Sequence, residues 1–167
     1  MHWPAILTAA LLAIPLSPVR AACSYGGVDN ATTTMAQQFR DSRWVVRARV
    51  LAADNHWSDD GESWTRYSLA VVRAYKGAPP ARLAFFTTRD SGAFYLDRGT
   101  MPDLGGEYLL FLNPIRPYRG QLPAARGAVF VNYACGQSRP WAEVPGTDER
   151  RLDLLAGRPT AGGAAGP

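Results

Sequence analysis

Apolar and polar positions alternate with a period of two through the middle of the chain. In Trp44-Val45-Val46-Arg47-Ala48-Arg49-Val50-Leu51, Trp44, Val46, Ala48 and Val50 share one face while Arg47 and Arg49 take the other, the pattern of a half-buried strand. A second strand is predicted over Trp64–Tyr75, with Tyr67, Leu69 and Val71 on one face. It ends at Lys76-Gly77-Ala78-Pro79-Pro80, because proline lacks the N–H that a ladder needs. Arg82–Thr88 reads as a third strand carrying Leu83, Phe85 and Phe86. Glu107–Leu112 is nearly all apolar and reads as a central fourth, and Ala128–Tyr133 as a fifth.

Helical signals flank these strands. Over Thr32–Arg40, Met35 and Phe39 lie four apart behind the capping candidates Thr32 to Thr34. Thr147–Ala156 has Thr147 as N-cap, Asp148 and Glu149 in the first turn, Leu152 and Leu155 on one side and Gly157 as the stop. The rest reads as loop. Asp54–Ser63 is polar around Asp59-Asp60-Gly61, and Asp90–Gly106 carries at most a short extended piece at Phe94–Leu96. Asn113–Gly127 is a Pro- and Gly-rich hairpin connection. Residues 158–167, rich in Ala, Gly and Pro, are expected to be a disordered tail. Five strands with no helix between each pair predict a mainly β fold. We expect a five-stranded antiparallel barrel of the oligonucleotide/oligosaccharide-binding (OB) type, with a short N-terminal helix and a C-terminal helix.

The two ends of the chain add export and one pair of cysteines. Ala5 to Leu16 is an apolar run of signal-peptide length, too short to span a bilayer, and small residues follow at Ala21 and Ala22. Residues 1–22 therefore read as a signal peptide and residues 23–157 as one domain. Cleavage after Ala21 leaves Ala22 first; cleavage after Ala22 leaves Cys23 first. A third reading acylates Cys23 as a lipoprotein. The chain has two cysteines, Cys23 and Cys135. In an exported protein they favour a disulfide closing the domain end to end; the alternatives are two thiols or lipid on Cys23.

Charge excludes more than it suggests. Of the 18 basic residues all but Lys76 are arginine, and losing the signal removes Arg20 and lowers the net charge from +4 to +3. The arginines are scattered with no basic stripe, so they read as solvated surface rather than a nucleic-acid site. No cofactor motif is present, and the module is expected to be a monomer with no stable membrane span. Without the signal, His56 is the one histidine, and no Gly-x-Ser-x-Gly elbow exists, so the chain does not read as an enzyme. Asp59, Asp60 and Glu62 are close in sequence but do not follow a calcium-loop pattern. Trp44, Trp57, Trp64, Tyr67 and Tyr75 could form a stacking surface for sugar or single strands, although core or loop anchoring is the plainer reading.

One order of motifs carries a resemblance. Cys23-Ser24 follows the signal; Val45-Val46-x-Ala48-x-Val50 follows; then Tyr75-Lys76-Gly77, Gly105-Gly106-Glu107-Tyr108-Leu109-Leu110-Phe111, and Cys135-Gly136-Gln137-Ser138-Arg139-Pro140-Trp141. Over Cys23–Trp141 the chain resembles the tissue inhibitor of metalloproteinases family, in its short bacterial single-domain form. The resemblance implies a netrin-module-like barrel and an exported binding protein directed at a secreted zinc metallopeptidase. In that family the α-amine and carbonyl of the N-terminal Cys chelate the target's zinc while the next residue enters the cleft, so Cys23 and Ser24 take those roles. An amine near its pKa of about 8 is partly neutral at physiological pH and can ligate zinc. The chain also departs from the pattern. The family opens Cys-x-Cys where this chain has Cys23-Ser24-Tyr25, and Ser91-Gly92-Ala93-Phe94 lacks the loop Cys, leaving Cys135 as the partner for Cys23. An alternative alignment places Ala21 at the first Cys and leaves no chelating residue. The rival expectation is a non-inhibitory envelope or extracellular module that binds a protein or glycan.

Overall fold

The computed structural model describes residues 23–157 apart from residues 60, 61 and 91. The expected signal peptide, the expected tail and Asp60 lie outside the described residues. A two-residue hairpin, β1 (Ser24–Tyr25) and β2 (Val28–Asp29), leads into helix α1 (Met35–Asp41). The long strands β3 (Trp44–His56) and β4 (Trp64–Lys76) follow, then β5 (Arg82–Thr88), a small hairpin of β6 (Asp97–Arg98) and β7 (Met101–Pro102), and β8 (Glu107–Pro114). β9 (Val129–Val131), β10 (Arg139–Pro140) and helix α2 (Gly146–Leu155) complete the described residues.

The strands close into a five-membered ring in the order β8–β3–β4–β5–β9 and back to β8. Four of the junctions are antiparallel. The fifth, β5 with β9 through Phe85 and Val129, is parallel. An odd ring cannot alternate direction all the way round, so one parallel seam is a condition of closure. The architecture is the OB-type barrel, with both helices packed against the outer face of β8.

Alternation on β3 and β4 is realised as read. Val46, Ala48, Val50, Tyr67 and Leu69 are buried inside the barrel with Trp44 and Val71 packed against them. β8 reads as continuous apolar because both of its faces are covered. Tyr108, Leu110 and Leu112 point into the barrel, while Leu109 and Phe111 meet Met35 and Phe39 of α1 and Leu152 of α2.

The edge of β8 away from β3 is shared. β10 pairs near its start, Arg139 with Leu109, and β9 pairs near its end, Leu112 with Val131. Phe111 sits in the gap. Its N–H donates to the buried Ser138 hydroxyl at 3.0 Å, and its carbonyl accepts the Asn132 N–H at 2.6 Å.

Several boundaries move. β3 runs on to His56 because Asn55 and His56 pair with Thr65 and Trp64 across the hairpin, and the Thr65 hydroxyl donates to the Asn55 side-chain oxygen at 2.7 Å. The β6–β7 hairpin forms just after the expected extended piece, and Leu96 is buried in the barrel. α1 begins at Met35, capped by Thr34, whose hydroxyl accepts the Gln37 N–H at 3.2 Å. Lys76 Nζ donates to the Phe39 and Arg40 carbonyls, at 2.6 and 2.7 Å, and satisfies the other end of that helix. α2 begins at Gly146, one residue before the expected cap, with no side-chain cap bond. Instead Asp148 in its first turn pairs with Arg139. Gly77 has φ +73°, and a Cβ there would lie 2.8 Å from the Arg43 carbonyl oxygen and 2.6 Å from Trp44 Cδ1, so the turn after Lys76 admits glycine alone.

Ser138→Ala leaves the Phe111 N–H buried without an acceptor and should cost about 1–3 kcal/mol in urea unfolding; an unchanged midpoint refutes the bridging role. Three buried phenols set the alkaline limit. Burial pushes Tyr75 up to about 12, with Arg73 opposing and Glu149 adding to the rise. Burial also raises Tyr67 and Tyr108, reinforced by hydrogen bonds to Asp97 and Asp103. A raised phenol pKa favours the protonated fold, so this stabilisation is complete below pH about 10 and is lost as pH climbs from there through the folded values. Phenolate absorbance should therefore appear in two waves, the later one coinciding with loss of near-UV dichroism.

Candidate functional site

The N-terminal segment is fastened to the barrel at several points. Cys23 and Cys135 form a disulfide with Cα atoms 6.0 Å apart. Cys23 is buried, 5% exposed, while Cys135 is at the surface. The Cys23 carbonyl accepts the Asn30 N–H at 2.6 Å, which closes the short hairpin. Gly26 and Gly27 form its tip at positive φ, a conformation glycine enters without steric cost. The Tyr25 ring lies 5.1 Å from the Tyr133 ring, its hydroxyl donates to Asp41 at 2.5 Å, and the Tyr133 hydroxyl donates to the Ala31 carbonyl at 3.0 Å. The Tyr25 hydroxyl holds the Asp41 carboxyl below the usual carboxylate range, with Arg40 assisting. Buried Gln38 of α1 accepts the Gln137 N–H at 2.8 Å, next to the disulfide loop. Between these anchors Ser24 is exposed, and Val28 is 60% exposed at the hairpin edge.

The expected chelator and its neighbour thus differ in accessibility. Ser24 is presented to solvent. Cys23 is held rigidly, and one lone pair of its carbonyl oxygen is engaged by Asn30.

The other candidates are dispersed. His56 is exposed at the end of β3 and stacks on Trp64 at 5.2 Å. Asp59 and Glu62 are exposed in the β3–β4 loop, and no group of three metal-ligating side chains occurs among the described residues. The five aromatics do not form one stacking surface. Tyr67 lies inside the barrel with Trp44 packed against that core, Tyr75 belongs to the α1–α2 side, and Trp64 packs with Phe86. Trp57 alone is largely exposed, at 66%.

Sequence reasoning missed a polar cluster at the mouth of the barrel. Arg89, with a side chain 9% exposed, pairs with Asp97, 7% exposed, at 2.5 Å. Its Nε donates to the Thr65 hydroxyl at 2.7 Å and Nη2 to the Tyr67 hydroxyl at 3.1 Å. Tyr67 in turn donates to Asp97 at 2.5 Å. The guanidinium also lies 4.6 Å from the Tyr95 ring centroid and 5.3 Å from that of Trp57. Arg89 looked like one more scattered surface arginine. Only the loop that returns Asp97 to the end of β5 makes it a buried ion-pair partner.

Fold and site together define an OB-type barrel with the segment at Cys23 stapled to the loop between β9 and β10. No protein-family model matches the chain, and no curated protein sequence matches it.

Cys135→Ser removes a crosslink between residues 112 apart in sequence. The chain-entropy argument predicts a loss of up to about 4–5 kcal/mol. Urea unfolding with and without reductant should give the wild type, but not the variant, a large reductant-dependent shift in midpoint.

Proposed function

We propose that this is an exported binding protein that works through its disulfide-pinned N-terminal segment, with a secreted zinc metallopeptidase as the target class. The observation that carries the reading is the fastening of Cys23, Ser24 and Tyr25. The disulfide, the Tyr25–Tyr133 contact and the Tyr25–Asp41 bond fix the segment before any partner arrives, so little conformational entropy remains to be lost on binding. Exposed Ser24 and Val28 are the side chains available to enter a cleft. The disulfide fits an oxidising compartment, and no helix among the described residues is long and apolar enough to cross a membrane. Zinc chelation needs a free α-amine on Cys23 itself. The second lone pair of its carbonyl then completes the chelate.

The test begins with the intact mass and N-terminal sequence of the exported protein. Protein beginning at Cys23 should inhibit at least one collagenase-type or thermolysin-type peptidase. Extension by Ala22, or acetylation of the amine, should weaken inhibition by at least about a hundredfold, equivalent to roughly 2.7 kcal/mol. Equal inhibition by the free and blocked forms sinks the chelation step; no inhibition by the free form sinks the target class.

A further inference from the structure

The Arg89 cluster forms the floor of a cleft that the N-terminal reading does not use. Trp57, Phe94, Tyr95, Gly99 and Thr100 line a space of about 540 Å³ above Arg89 and Asp97, within the range of about 300–1,000 Å³ typical of small-ligand sites. Three properties of this cleft restrict what it can hold.

The first is its walls. Tyr95 is fixed by its hydroxyl bond to the Asp90 carbonyl and by the guanidinium against its ring. Trp57 stands over the same guanidinium with the rest of its ring in water. A large aromatic surface held in place but left wet suits a ligand with a flat apolar face.

The second is charge. Arg89 is neutralised by Asp97 at a buried ion pair, so the floor offers no net attraction for an anion. Asp59 and Glu62 share the Trp57 loop, and Asp90 sits behind Tyr95; all three are exposed. The exposed Arg98 beside the lining is itself paired with Asp103 at 3.3 Å, so the described lining offers no basic groove of the kind that single-strand sites pair with their aromatics.

The third is hydrogen bonding. Arg89 Nη1 carries two hydrogens and makes one bond, to Asp97. The exposed Thr100 hydroxyl and the Gly99 backbone line the opposite side. A neutral ligand that presents hydroxyls around its rim and C–H groups on its face meets all three conditions.

We propose that the cleft between Trp57 and Tyr95 is a saccharide subsite that takes a neutral, flat-faced pyranose of an oligosaccharide. The sugar stacks on Trp57 and its hydroxyls reach Arg89 and Thr100. The ion pair orients the guanidinium rather than binding charge. The site is remote in sequence from Cys23, so it stands or falls independently of peptidase inhibition.

Calorimetric titration of the full exported chain with cellotetraose and with tetra-N-acetylchitotetraose tests this. At least one should bind, and Trp57→Ala should weaken that binding by about tenfold or more. The Trp57 ring is mostly solvent-exposed, so the urea midpoint of the variant should stay close to wild type and separate lost binding from lost folding. Trp57→Phe should restore part of the affinity. The proposal is overturned if wild type binds neither sugar at about 10 mM, if Trp57→Ala binds as well as wild type, or if oligo(dT) binds more tightly than both sugars.

Discussion

Strand β8 must satisfy hydrogen-bonding groups along both edges while both of its faces are sealed from water. A buried N–H or carbonyl without a partner costs about 1–3 kcal/mol, so the elements around β8 are arranged to supply partners. β3 covers one edge continuously. No single strand covers the other. β10 takes the beginning, β9 takes the end, and Ser138 and Asn132 span Phe111 between them. The same division places β9 against β5 and so closes the barrel. It also brings the stretch from Val131 to Ser138, with Cys135 at its surface, alongside α1 and the N-terminal hairpin. Position of the candidate N-terminal site and closure of the core are consequences of one requirement.

The strands were legible because their patterns report burial. Val46, Ala48 and Val50 gave the inner face of β3, and the unbroken run at Tyr108–Leu112 gave a strand covered on both sides. The start of β4 at Trp64 was legible, but the outer part of β3 was not, since Ala52 to His56 pair through backbone groups that carry little side-chain signature. The parallel seam at Phe85 and Val129 was hidden too: local pattern records which residues are buried, not which strand lies beside which. The Cys23–Cys135 pairing followed from there being two cysteines. The hairpin that presents Ser24 did not, because its two-residue strands are too short to show a period.

Electrostatics departed furthest from the reading of composition. Scattered arginines read as solvated surface, yet several are tethers between elements. Arg47 and Arg49 converge on Glu107 across the β3–β8 pair; burial opposes ionisation there, but the two guanidinium hydrogen bonds outweigh it and hold the carboxyl below its ordinary range. Arg47 also lies 4.4 Å from the Trp141 ring centroid. Arg73 reaches Glu149 and Asp153 of α2 from β4. Pairs that stay partly open to solvent contribute little singly, but each of these ties an element distant in sequence to the barrel wall. Arginine suits the task because its planar fork can grip a carboxylate while its face lies on an aromatic ring.

The disulfide also decides how the molecule carries load. Tension applied between residue 23 and residue 157 passes through the Cys23–Cys135 bond and bypasses the intervening 112-residue separation. The barrel strands β3, β4, β5, β8 and β9 lie outside the force path. Only the segment after Cys135, with β10 and α2, can be drawn out. A protein held at one end and pulled at the other would shed its C-terminal helix and keep its barrel, with both candidate sites, intact.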